Sequence, residues 1–213
     1  MLDEVIDDRR SDVARGADGA EGVEGNARLT GATGAVLFVL LAAEGITILR
    51  IHDLITVHVF IGIVVTAFVA TKLASVGWRF ARYYLGDAAY VGKGAPNPVL
   101  RVDGPIVVLT TVAVLATGIA GLASGRSAHW LIDLHKASFI LWFVAMTVHV
   151  LGHILDTPTL AIADYRSALG SRQLPGAWLR RLATLATLLT GIVLAIVVIN
   201  SGWMNTWTHV VGR

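Results

Sequence analysis

The sequence predicts an all-α membrane protein, a bundle of five transmembrane helices, and three observations carry that expectation. Of its 213 residues, 55 % are hydrophobic and only 15 % charged, with a mean hydropathy of +0.68; a soluble domain carries about 25 % charged residues. Five apolar runs recur along the chain, each close to the ~20 residues a helix needs to cross the hydrocarbon of a bilayer. The Lys and Arg residues concentrate in alternate connections between those runs. There is no cysteine, so disulfides, thiolate nucleophiles, Cys-ligated iron–sulfur clusters and Cys-attached haem are excluded, and histidine is left as the metal ligand to look for. A formal charge of +2 is too small for a nucleic-acid partner.

Residues 1–28 hold eight acids and four arginines among several glycines, with few large apolar side chains. That composition predicts a disordered acidic tail, and its acidic start does not resemble a signal peptide. The first span is expected at Leu29–Leu49, with Glu44 as its one charge, and the second at Leu54–Ser75, containing His58 and Lys72. A basic loop over Val76–Asp103 carries Arg79, Arg82, Lys93 and Arg101; its Tyr83, Tyr84 and Tyr90 point to contact with anionic membrane lipid. The third span is Pro105–Ala123, and a short connection leads to the fourth, Leu134–Leu155. A second basic loop spans residues 156–181, and the fifth span is Leu182–Ile199, with no ionisable residue. The units are therefore the tail at 1–28, a four-span core at 29–155, the loop at 156–181, and the fifth span with a C-terminal segment at 182–213.

The tail and the two long loops contain twelve of the seventeen Lys and Arg residues. The positive-inside rule puts them in the cytoplasm and the C-terminus outside, a multi-pass arrangement in a bacterial plasma membrane. Trp78 and Trp178 then mark the inner interface, and Trp130, Trp203 and Trp207 the outer one. His52, His129 and His209 fall at solvated positions, and Glu44 is expected to pair with Lys136 near the outer surface.

The chemistry concentrates in HKASFILWFVAMTVHVLGH, from His135 to His153. Ionisable groups inside a span are costly and mark function. His135 and His149 are fourteen residues apart, so on a helix they share nearly one face, roughly 21 Å apart along the axis. The second and fourth spans run in the same direction, which brings His58 to the depth of His135. Lys72, fourteen residues beyond His58, then comes to the depth of His149. Gly31 and Gly45 on the first span repeat the same spacing, as do Gly104 and Gly118 around the third. Glycines there leave room for a flat macrocycle, or serve close helix packing. His153, one turn beyond His149, shares its face.

On these residues the chain resembles the membrane cytochrome b superfamily, including cytochrome b/b6 and the bacterial b561 and hydrogenase b-subunit type, and it is similar to small bacterial membrane proteins described as cytochrome-b-like. The resemblance covers about residues 30–155. It implies a four-helix core holding haem b between the second and fourth helices. His58, His135 and His149 would be the iron ligands, and Gly31, Gly45, Gly104 and Gly118 the glycine positions. The departure is Lys72, where a two-haem pattern has histidine. A neutral Lys72 amine can ligate iron; otherwise the side chain reaches the interface or neutralises an anion such as a haem propionate. His153 is a substitute second ligand, a propionate partner, or an interfacial histidine with neither role, the last being the simplest reading. The implied function is respiratory electron transport as a subunit of an oxidoreductase, between a quinone and a partner redox protein, with no catalytic residue of its own. Two rivals are a small ion transporter, and a membrane anchor or assembly partner that has lost its haem. Against the transporter stands the lack of Pro-broken spans and inverted repeats.

Overall fold

A computed structural model describes residues 2–94, 98–153, 162 and 175–208, the side chains of residues 2–18 and 20 excepted. It is all-helical among the described residues: α1 Leu2–Leu49, α2 Ile51–Tyr84, α3 Ala88–Gly92, α4 Pro98–Ser124, α5 His129–His153, α6 Ala177–Ile199 and α7 Gly202–Thr208. Five helices are long and apolar enough to cross a membrane: Glu21–Leu49 within α1, then α2, α4, α5 and α6. The expected end of the fourth span at Leu155, most of the loop at 156–181 and His209 lie outside the described residues.

The described part of the acidic stretch, residues 2–28, is helical where its composition predicts a disordered tail. α1 continues through it without interruption, and from Gly19 onward it packs. Val23 is buried, Asn26 Nδ2 donates to the Ser75 carbonyl at 3.1 Å, and Lys93 Nζ lies 3.2 Å from Glu24. Glycines read as signs of flexibility are contact positions: a Cβ on Gly19 would meet that of Ala89 at 3.1 Å, and one on Gly25 the Arg180 guanidinium at 3.0 Å. Average composition does not register such one-sided contact.

The expected loop over Val76–Asp103 is also largely helical. α2 runs to Tyr84, where Gly86 turns the chain at φ 81°, a conformation glycine adopts without a steric penalty. Asp87 then caps α3, accepting from the backbone N–H groups of Ala89 and Tyr90. Trp78 Nε1 donates to the Tyr90 hydroxyl at 3.1 Å, and the Arg82 guanidinium lies over both rings while pairing with Asp87. α4 begins at Pro98 and not at Pro105, which sits inside it. Proline suits a first helical turn, while Pro105 removes one N–H from the helix interior. The extension brings Arg101 and Asp103 into a helix expected to be free of charge.

α1, α2 and α6 pack into one block, and α4 and α5 form an antiparallel pair. The block's core is Leu37, Val64, Val65, Phe68 and Ala195. Gly191 of α6 lets that helix close onto α2, since a Cβ there would meet Val64 Cα at 3.2 Å. The block and the pair scarcely touch. Between them lies a cleft of about 2510 Å³ lined by α1, α2, α4 and α5, to which α6 contributes no residue. Four helices form the site and the fifth buttresses α2 from behind.

Candidate functional site

The cleft gathers every candidate ligand and glycine position named from the sequence. Gly31 and Gly45 of α1, His58 and Lys72 of α2, Gly104 and Gly118 of α4, and His135, His149 and His153 of α5 all line it. Small-molecule sites enclose roughly 300–1,000 Å³, so this space exceeds what one compact ligand requires.

At the first level the rings of His58 and His135 lie edge to face, with centroids 6.3 Å apart and planes at 79°. The partners of each Nδ1 fix the tautomer. His58 Nδ1 lies 2.9 Å from Thr47 Oγ1 and 3.1 Å from Glu44 Oε1. The Thr47 hydroxyl already donates to the Glu44 carbonyl at 2.6 Å, so its oxygen, like the carboxylate, accepts. His135 Nδ1 is 3.0 Å from the Val114 carbonyl, which can only accept, and 3.3 Å from Thr117 Oγ1. Both rings therefore carry hydrogen on Nδ1, which leaves the Nε2 lone pair to a ligand when the imidazole is neutral. Metal-ligating histidines are held in this way, by a carbonyl or carboxylate on the far nitrogen.

Gly118 makes the arrangement possible. A Cβ there would lie 3.0 Å from His135 Cε1, so the ring rests on bare α4 backbone. Gly118 thus makes room for the His135 ring itself. Gly45 and Gly104 face open space, with nothing within 4 Å of a built Cβ.

The second level is built differently. His149 Nδ1 is 3.2 Å from Asp103 Oδ2, the same device of an acceptor behind the ring. Across from it, Lys72 Nζ donates to the Thr30 carbonyl of α1 at 3.0 Å. His153 stacks beside His149 with centroids 4.8 Å apart, on its own helix and not across the cleft. Among the described residues no imidazole from another helix pairs with His149.

The expected pairing of Glu44 with Lys136 does not form. Glu44 turns to His58, while Lys136 has Asp133 at 3.6 Å one turn away on its own helix. Sequence reasoning missed Thr47, Asp103 and Thr117. Asp103 had a usable signal, an acid directly beside an expected span; the two threonines had none beyond being polar in apolar helices.

The donor set fits a b-type haem at the first level. Among the described residues no three His, Cys, Asp or Glu side chains converge to hold a bare metal ion, whereas a porphyrin iron takes only two ligands from protein. No protein-family model matches the chain, and no curated protein or solved structure matches it.

Proposed function

We propose that this chain is an integral membrane electron-transfer protein of the b-type cytochrome kind, a subunit or conduit that holds one haem b between α2 and α5 through His58 and His135. The observation that supports this reading is the approach of the two rings to 6.3 Å between centroids, each with oxygen groups beside Nδ1 that leave Nε2 free to ligate. When bound, the haem supplies a one-electron iron couple with no open coordination position, which suits electron transfer over oxygen chemistry.

The chain's own residues do the rest. Thr47 and Glu44 orient His58, while Val114 and Thr117 orient His135. Gly118 lets the His135 ring withdraw against α4. Apolar side chains such as Leu115, Phe139 and Val65 line the cleft around them and keep water from the ligands. Lys72, engaged with Thr30, is assigned to an anionic group near the second level and not to iron. On this reading the N-terminus faces the cytoplasm of a bacterial cell, as the distribution of Lys and Arg favours. The electron donor and acceptor are a quinone and a partner redox protein.

A reduced-minus-oxidised absorption spectrum of the purified protein tests the proposal. A b-type α-band that disappears in His135→Ala is expected. A colourless parent protein overturns the reading and leaves the membrane anchor without haem.

A further inference from the structure

Arg28, Arg50, Arg82, Lys93 and Lys136 each have a carboxylate within 3.6 Å. Lys72, Arg79 and Arg101 form no ion pair among the described residues, and all three line the cleft. Lys72 Nζ has the Thr30 carbonyl at 3.0 Å, and Arg101 the Tyr84 hydroxyl at 3.2 Å. On α2, Arg79 comes seven residues after Lys72, on nearly the same face and about 10 Å further along the axis. Arg101 enters from α4, two residues before the Asp103 that pairs with His149. The three cations therefore gather at the second level and beyond it, away from His58 and His135. The carboxylates of this end are already engaged, Asp103 with His149 and Glu24 with Lys93 and Arg28. A haem at the first level leaves these cations unused, since Lys72 lies roughly 21 Å along α2 from His58, beyond the reach of a propionate.

We infer that this end of the cleft binds an anionic phospholipid, its phosphate held by Lys72, Arg79 and Arg101 and an acyl chain laid along the cleft wall. The inference names the anionic group to which Lys72 is assigned above, and it stands whether or not haem occupies the first level.

Charge and shape both argue for this occupant. Three cations without a carboxylate partner call for a net negative head. A zwitterionic head brings a cation of its own, for which the described residues offer no unengaged acid. Phosphate oxygens can accept from all three side chains, and arginine binds them as a planar fork. Basic pockets between transmembrane helices bind lipid headgroups in this way. The adjoining wall is apolar, with Val69, Leu73 and Phe80 of α2 and Leu100 of α4. A free phosphate would leave that wall uncovered, whereas an acyl chain removes it from water. At about 2510 Å³ the cleft has room for a chain beside a first-level ligand.

The test is native mass spectrometry of the full-length protein, released from micelles that carry phosphatidylglycerol or phosphatidylcholine. One phosphatidylglycerol per chain should survive release, held at least about tenfold more tightly than phosphatidylcholine. Each cation near a headgroup contributes about fivefold in binding. Lys72→Gln should therefore bind phosphatidylglycerol about fivefold more weakly, and Arg79→Gln combined with Arg101→Gln roughly twentyfold. Arg50→Gln, which breaks an exposed pair with Asp53 at the opposite end of α2, should stay within about twofold of the parent and so exclude a general charge effect. Equal retention of the two lipids overturns the inference, as do cleft variants that hold phosphatidylglycerol as the parent does. Inorganic phosphate retained as firmly as the lipid marks a free-anion site and overturns the lipid assignment. Should Lys72→Gln fail to fold, the double arginine variant decides, since Arg79 is half-buried and Arg101 exposed. A colourless chain that still holds phosphatidylglycerol refutes the haem reading alone. A chain with haem and no preference for phosphatidylglycerol refutes this inference alone.

Discussion

The two levels of the cleft use the same two parallel helices at the same spacing, yet only one of them is symmetric. At the first level α2 and α5 each present an imidazole, and each has an acceptor behind Nδ1. At the second, α5 presents His149 with Asp103 behind it, while α2 presents an amine bonded to α1. On the proposed reading the first level would hold a haem iron from both sides. The other pairs a well-oriented donor with a cation. Helix geometry alone repeats a site every fourteen residues; side-chain identity decides whether the repeat has the same chemistry.

The largest effects should come from turning one level into the other. Replacing His135 by Ala should remove essentially all b-type absorption, whereas His149→Ala should leave it intact; a pyridine haemochrome count per chain reads both. Equal losses from the two substitutions would erase the distinction between the levels. In the opposite direction, Lys72→His supplies an imidazole across from His149 and should raise the count from one haem towards two per chain. A count that stays at one would mean the second level lacks the space as well as the ligand.

A smaller effect is expected from Gly118→Ala. Its Cβ would crowd the His135 ring at 3.0 Å, and overpacking of this kind costs about 1–3 kcal/mol. Haem titrated into the purified apoprotein should therefore bind at least fivefold more weakly. Gly45→Ala, facing open space, serves as the comparison and should bind nearly as the parent does. The smallest effect at the first level belongs to Asp103→Asn. It weakens the bond behind His149 and lowers stability by about 1–3 kcal/mol, seen as a lower thermal midpoint in detergent, while the α-band of the first-level haem remains. Loss of that band would show the two levels to be coupled.

Much of the site was legible because a transmembrane helix is a ruler. Its rise per residue is constant, so equal spacings on parallel helices become equal depths. The pairing of His58 with His135 followed from counting, as did the presence of Lys72, His149 and the four glycines in one cleft. The fold class was legible for a similar reason, since apolar runs of bilayer length permit little else. What was not legible lies at the helix ends and behind the ligands. Residues 1–28 read as disordered by composition, whereas residues 2–28 are helical and Val23, Asn26 and Glu24 make tertiary contacts. Asp103 was assigned to a loop because Pro105 looked like a helix start, although proline can sit inside a helix that begins earlier.

By itself, the sequence determined the number of candidate spans and the matching levels of His58 with His135 and of Lys72 with His149, because these depend only on hydropathy and the pitch of a helix. Only the tertiary structure decided which groups touch. It turned Glu44 towards His58 and away from Lys136, put Thr47 and Val114 behind the two rings, and made Gly118 a seat for an imidazole. Those choices depend on rotation about helix axes and on the separation of the two helix groups, and neither is encoded by spacing along a single chain.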